Sequence, residues 1–247
     1  MTKYQDNLIL VGLPLYQGYI HNGTMMSVWD MVHEVTTHGY EVVLYYAKGP
    51  SLPIKRRQCV DKAREIGAKY LLMIDSDMVI PNPKYLWLML SRKKKVISGV
   101  YYGKGEPWVA IMSRYRDPEY KADPTASIEQ IMEVPYNLIF DLPKDAIIEV
   151  DGVGGGFILI ETECFDGLRE PYFLMTDLHG LGEDYWMCHR LKEKGYKIHV
   201  DTSIQLHHVG DYVFQERDHQ LGKIMARIKF QKEREKVQEL NGPVEVH

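Results

Sequence analysis

Apolar runs and helical stripes alternate along the first hundred residues. Asn7 to Leu13 (NLILVGL) is a short, almost wholly apolar run that predicts a buried strand, and Pro14 ends it. Met25, Val28, Trp29, Val32 and Val35 then recur at helical spacing until Gly39 stops the pattern. Tyr40 to Ala47 (YEVVLYYA) predicts a second strand, closed by Lys48-Gly49-Pro50. Ile54 to Lys69 reads as a helix with Val60, Ala63 and Ile66 on one face, and Tyr70 to Ile74 (YLLMI) as a third strand. Asn82-Pro83 opens a helix through Leu90, with Asn as cap and Pro at the first helical position. Val96 to Tyr102 is a fourth strand. Strands alternating with helices at this spacing imply a mostly parallel sheet with right-handed crossovers, whose ligands sit at the carboxyl ends of the strands.

The second half is less regular. Gly103 to Val150 holds five prolines (107, 118, 124, 135 and 143) and reads as long loops with short elements. Asp151 to Ile160 (DGVGGGFILI) predicts a strand, Gly182 to Gly195 a helix, Tyr196 to Asp201 a strand and His219 to Leu240 a polar, charged helix. No convincing linker interrupts the chain. The expectation is one domain with a nucleotide-binding half (about 1–103), a second half (about 104–215) and a helical tail (about 216–247).

Composition narrows the class. The chain has 247 residues, 45% hydrophobic and 26% charged, enough for a core without disulfide or metal staples. Its three cysteines (Cys59, Cys164, Cys188) match neither a zinc spacing nor a disulfide framework and read as buried thiols of a reducing cytosol. The opening residues lack the pattern of a signal peptide, and no stretch approaches the ~18 apolar residues of a membrane span. A cytoplasmic protein with no membrane span is expected, lying in the host cell if viral. The net charge of −4 conceals an asymmetry. Lys48 to Arg116 carries 15 basic and 5 acidic residues, so that +10 there faces −14 elsewhere, which suggests a concentrated anionic partner.

Five groups could carry chemistry. In YLLMIDSDMVIP a buried strand delivers Asp75 and Asp77 to its carboxyl end; residues two apart on a strand share a face, so both carboxylates could converge on one hard cation whose shell phosphates complete. In GEDYWMCHRLKEKG, Glu183 and Asp184 open a helix whose dipole favours ionised carboxylates, and one could accept a hydroxyl proton. In IQLHHVGD, His207 and His208 close a strand, and one could ligate the same cation. Gly154, Gly155 and Gly156 permit close backbone approach, either to a ligand or as a bulge. Lys55, Arg56 and Arg57 at a helix start could meet a diphosphate, whereas Arg92 to Lys95 reads as an exposed helix end.

Together these motifs, in this order, resemble the GT-A glycosyltransferases, especially the GT2-like group and its compact, soluble bacteriophage-type members. The resemblance covers about residues 7 to 212. It rests on Pro14 and Tyr16 after the first strand, the pair Arg57-Gln58, the DxD Asp75-Ser76-Asp77, the glycine-rich Gly154 to Phe157, Glu183-Asp184 with Arg190, and the late His208-Val209-Gly210. It implies a three-layer α/β/α fold and transfer of a sugar from a nucleotide-diphosphate donor, with uracil the favoured base, to an acceptor hydroxyl. By the same resemblance, Pro14 and Tyr16 would wall the base, Arg57, Asp75 and Ser76 would bind the donor, and Asp75, Asp77 and His208 would serve Mn²⁺ or Mg²⁺. Asp184, with Glu183 beside it, would be the base of an inverting transfer. Gly154, Gly155, Gly156 and Trp108 would face sugar or acceptor. The acceptor would be a glycan or a hydroxymethylated base in DNA, the latter held by the basic segment and by Lys223, Arg227, Lys229, Lys232, Arg234 and Lys236 of the tail. Lys48-Gly49-Pro50 and Gln58 depart from the family pattern. Two alternatives are a haloacid-dehalogenase-like phosphatase with Asp75 as nucleophile, and a non-catalytic polyanion- or nucleic-acid-binding module.

Overall fold

The computed structural model describes residues 4–104, 108–132, 134, 136–175, 182–210, 213–214 and 216–240. Its centre is a seven-stranded sheet built from β1 (Gln5–Pro14), β2 (Glu41–Ala47), β3 (Ala68–Ile74), β5 (Val96–Val100), β8 (Ile147–Val150), β10 (Phe157–Glu161) and β11 (Ile198–Gln205). The order is β2-β1-β3-β10-β5-β11-β8. β10 runs antiparallel to both β3 and β5, and β8 antiparallel to β11, while the β1–β2, β1–β3 and β5–β11 pairs are parallel. Strands from both sequence halves therefore share one sheet.

The alternation of side chains along each strand divides the core into two layers. Leu8, Leu10, Leu71, Met73, Ile158 and Ile160 face Cys59, Val60 and Ala63 of α2 (Leu52–Glu65) and Met187, Cys188 and Leu191 of α5 (Glu183–Glu193). Their neighbours Ile9, Val11, Leu13, Leu72, Ile74, Phe157 and Leu159 face Val28, Met31 and Val35 of α1 (Asn22–Thr37) and Leu86, Met89 and Leu90 of α3 (Tyr85–Ser91). Because both faces are covered, the strands read as continuous apolar runs. Two three-stranded sheets flank this core. One pairs β4 (Met78–Val79), β12 (His207–Val209) and β13 (Val213–Phe214); the other pairs β6 (Met112–Tyr115), β7 (Tyr136–Leu138) and β9 (Gly152–Val153). α4 (Ile128–Met132) is a single short turn, and α6 (Glu216–Leu240) is the long terminal helix.

Several elements differ from the sequence reading. The run Asp151 to Ile160 is two strands in two sheets, broken at Gly154 to Gly156 where the chain turns. The helix expected to reach Lys69 ends at Glu65, because Gly67 adopts a left-handed φ of 68° and Ala68 already enters β3. The three cysteines are free and buried, and burial pushes the thiols up to about 12. The charge asymmetry is largely answered within the chain. Arg56, Arg57, Arg64, Lys69, Arg92 and Lys95 of the basic segment pair with Glu183, Glu170, Asp166, Asp6, Asp201 and Glu163, all outside it. Arg92, expected at an exposed helix end, holds the fully buried Asp201 at 2.7 Å. Among the described residues no helix is long and apolar enough to cross a membrane.

Candidate active site

The site forms where the middle of the sheet ends. β3, third of the seven strands, lies between parallel β1 and antiparallel β10, and its carboxyl end delivers Asp75. The strand stops at Ile74. Asp75, Ser76 and Asp77 form a turn closed by the Met78 N–H donating to the Asp75 carbonyl at 3.1 Å. Strand alternation therefore does not govern the two carboxylates, and they take different partners. Asp75 turns toward the helix layer, where the Arg56 Nη2 lies 3.0 Å from its Oδ1. Asp77 receives the Lys104 ammonium and lies 3.5 Å from the Nε2 of His208.

The Asp77–His208 approach is set by strand register. β4 pairs with β12 so that Met78 lies opposite His208, and the Val209 N–H donates to the Asp77 carbonyl at 2.8 Å. The His208 Nδ1 lies 2.9 Å from the Tyr102 carbonyl, which can only accept, so Nδ1 carries the proton. Nε2 then faces Asp77 Oδ1: protonated, it donates to that carboxylate, and neutral, it presents the lone pair a metal ligand needs. Asp77 is held low, to about 2, where its hydrogen bonds with His208 and Lys104 outweigh the opposing effect of burial.

Arg56 organises the inner wall. It is 1% exposed, yet its guanidinium meets two carboxylates, Asp75 at 3.0 Å and Glu183 at 2.9 Å. Burial pushes both acids above their ordinary values, and Arg56 opposes the rise in each. Its Nη1 has no hydrogen-bond partner among the described residues and lies against Gly155, where a Cβ would come within 1.6 Å of it. A Cβ on Gly154 would come within 1.9 Å of the Tyr101 hydroxyl. The three glycines are buried, and the space they leave is filled by these side chains. Their turn also joins the surrounding elements. The Asp75 N–H donates to the Gly156 carbonyl, the Gly156 N–H to the Tyr101 hydroxyl, and the Gly155 N–H to Asp184 Oδ2, all between 2.9 and 3.1 Å.

Glu183 and Asp184 occupy the first turn of α5, after Gly182. Glu183 is buried against Arg56, whereas Asp184 is half-buried, with Oδ2 on Gly155 and Oδ1 accepting from the Tyr185 N–H at 2.8 Å. On the other side of the DSD turn, the buried Ser76 Oγ accepts from the Tyr16 N–H at 3.2 Å, and the Ser76 carbonyl accepts from the His21 N–H at 2.7 Å. The Lys55 ammonium donates to the Leu15 carbonyl at 2.7 Å and holds the same loop from α2. Pro14 is buried, while Tyr16 and Tyr19, bridged to each other, are 70% and 76% exposed beside the turn.

The structure thus gathers Asp75, Ser76, Asp77, His208, Glu183, Asp184 and the glycine turn around one strand end, with the Pro14–Tyr16 loop joined through Ser76. It does not bring Arg57 there. Arg57 lies on the exposed side of α2 and pairs with Asp61 and Glu170; Arg56, one residue earlier, takes the inner position. Helical spacing carries that distinction, since Arg56, Val60 and Ala63 stand at i, i+4 and i+7 on the buried face. Trp108 is half-buried against the core that includes Tyr102 and Met112. Lys104 and Tyr101 carried no sequence signal for the site; only the tertiary contacts mark them.

As to a divalent cation, the described residues contain no group of three or more His, Cys, Asp or Glu side chains placed to hold one. Asp77 and the Nε2 of His208 are the side chains that could contribute two ligands. Such a set suits Mg²⁺ or Mn²⁺, which complete their shells with water and phosphate oxygens.

The fold is a GT-A-like three-layer α/β/α sandwich. A197 from STIV superposes with a TM-score of 0.52 at 17% identity, covering 85% of this chain and 90% of that one. GalNAc-T7, solved with UDP, GalNAc and Mn²⁺, gives a TM-score of 0.47 at 13% identity over 84% of this chain and 45% of that one. The catalytic domain of Drosophila β1,4-galactosyltransferase 7, in complex with xylobiose, gives 0.40 at 13% identity over 80% and 65%. No family model matches the sequence, and no curated protein does.

Proposed function

We propose that the protein is a metal-dependent glycosyltransferase that moves a sugar from a nucleotide-diphosphate donor, with a UDP-sugar as the favoured donor, to an acceptor hydroxyl. The observation that carries this reading is the pairing of Asp77 with the Nε2 of His208 at 3.5 Å, in the turn that follows β3. Asp77 and His208 would hold Mn²⁺ or Mg²⁺ between the protein and the donor diphosphate. When bound, that cation would offset the negative charge that grows on the leaving diphosphate. The ammonium of Lys104, now on Asp77, is within reach of the same oxygens and would add to this stabilisation once displaced. Tyr16 and Tyr19 offer exposed aromatic faces for the base, on a loop that Lys55 and Ser76 hold against the DSD turn.

Asp184 is the proposed base. Oδ2 is oriented by the Gly155 N–H and Oδ1 by the Tyr185 N–H. Glu183 does not share this role, since Arg56 holds it at 2.9 Å under the protein surface; it positions the guanidinium instead. A correctly placed base contributes roughly 10²–10⁴-fold in rate. The acceptor is a glycan or a hydroxymethylated base in DNA, and the two are separated by offering each as substrate.

The test is a thermal-shift screen of nucleotide sugars with and without Mn²⁺, since a ligand that binds only the folded state raises its apparent stability. A UDP-sugar should raise Tm in the presence of Mn²⁺, and Asp77→Ala should remove the metal-dependent part. If no nucleotide sugar shifts Tm, or the shift survives chelator, the reading fails. An aspartyl phosphate trapped on Asp75 would establish the phosphatase chemistry instead.

A further inference from the structure

The terminal helix α6 is apolar on two sides. His219, Gly222 and Ala226, at i, i+3 and i+7, are buried against the body. His219 stacks on Tyr102 with ring centroids 5.1 Å apart and approaches the Phe140 carbonyl at 3.2 Å. Asp141 fastens the same stretch through Lys223 at 2.6 Å and Arg227 at 3.4 Å. On the far side, Leu221, Ile224, Met225 and Ile228 stand at i, i+3, i+4 and i+7, and they are 55%, 57%, 39% and 48% exposed. A docked surface helix has no structural need for this second stripe, because its inward face already supplies the packing.

The charges around the stripe identify what would cover it. From His219 to Lys232 the sequence HQLGKIMARIKFQK contains Lys223, Arg227, Lys229 and Lys232 and no acidic residue. Lys229 is exposed beside Ile228. A second copy of this chain would set one cationic helix against another. A nucleic acid would satisfy the cations but leave two isoleucines, a leucine and a methionine in water. An anionic bilayer surface meets both requirements, with headgroups for the exposed Lys229 and the acyl boundary for the stripe. We therefore propose that residues 219–232 of α6 form an interfacial membrane-binding helix that lies flat on anionic lipid and brings the protein to a membrane surface. The overall charge of −4 requires the contact to be one-sided, made by this face of the helix and not by the protein at large.

The test is cosedimentation of the full chain with phosphatidylcholine vesicles, with and without phosphatidylglycerol, over a range of salt. The full chain should bind the vesicles containing phosphatidylglycerol, bind phosphatidylcholine alone far more weakly, and lose affinity as salt rises. Ile224→Glu and Ile228→Glu should each lower binding at least about tenfold, and Lys229→Glu at least about fivefold. All three replace exposed side chains, so their circular dichroism and Tm should stay at the parent values, and a drop in binding then reports the surface itself. Failure of the parent protein to bind phosphatidylglycerol vesicles would overturn the proposal, as would equal binding by Ile224→Glu. One further result would assign the face elsewhere: a dimer that Ile224→Glu dissociates, with no vesicle binding.

Discussion

Replacing Arg56 with methionine tests the inner wall of the site. The side chain is 1% exposed and meets Asp75 at 3.0 Å and Glu183 at 2.9 Å, with Glu183 itself 3% exposed. Methionine keeps much of the volume but leaves two carboxylates facing each other with no counter-charge. Breaking a buried ion pair from one side costs about 3–5 kcal/mol, because the abandoned charge stays buried. For a chain of this length each kcal/mol moves Tm by about 2–4 °C, so Tm at neutral pH should fall by about 6–20 °C. The loss should also depend on pH. Burial already holds both carboxyls above their ordinary values, and without Arg56 they rise further. A carboxyl with a folded pKa above its unfolded one takes up a proton on folding, so it destabilises the protein increasingly as pH rises through that interval. The deficit of Arg56→Met should therefore be small near about pH 4, where unfolded carboxyls begin to protonate, and larger at pH 7. Urea unfolding followed by circular dichroism across this range measures it. A deficit below about 1 kcal/mol at neutral pH, the level of an exposed pair, or one that does not change with pH, would refute the reasoning.

Three other outcomes are expected. Gly155→Ala places a Cβ within 1.6 Å of the Arg56 Nη1, so it should destabilise by about 1–3 kcal/mol and weaken donor binding; an unchanged Tm would show that the guanidinium has room to move. Asp184→Asn should retain the donor-induced Tm shift but lower transfer at least about 10²-fold, and unchanged turnover would remove Asp184 as the base. His189 is buried beside Tyr115 and Glu193, and desolvation lowers it from 6.5 to about 4. The unfolded state then binds the extra proton, so stability should fall as pH drops from about 6.5 to about 4, by up to about 3 kcal/mol. His189→Gln should flatten that slope, and an identical slope in the variant would exclude His189 as its source.

The local patterns were legible wherever a single periodicity governed the element. β1, β3 and β5 appear as apolar runs because helices cover both faces of the sheet there, and α1 and α5 appear through spacing and terminal residues. The site was legible as a set of residue types at strand and helix ends. It was not legible as a set of partners. The carboxylates of Asp75 and Asp77 were expected to converge on strand geometry, but the strand ends at Ile74, before either of them. The donor-binding guanidinium was assigned to position 57, although the buried stripe of α2 sets position 56 against Asp75. Asp151 to Ile160 concealed a change of sheet, because a strand–turn–strand with buried glycines has the same composition as one long buried strand.

The sequence by itself determined that the chain alternates strands and helices, that its carboxylates cluster where a central strand ends, and that α5 opens on two acids. These properties are local: each follows from hydropathy period, capping chemistry or the preference of charge for a helix terminus. The tertiary structure alone decided what those residues do to one another. Antiparallel insertion of β10 lays the glycine turn against Arg56, and the register of β4 on β12 sets His208 beside Asp77. It also neutralised much of the basic segment with acids distant in sequence and left one stripe of α6 uncovered. Pairing and register depend on contacts between segments tens to more than a hundred residues apart, and no period within one segment records them.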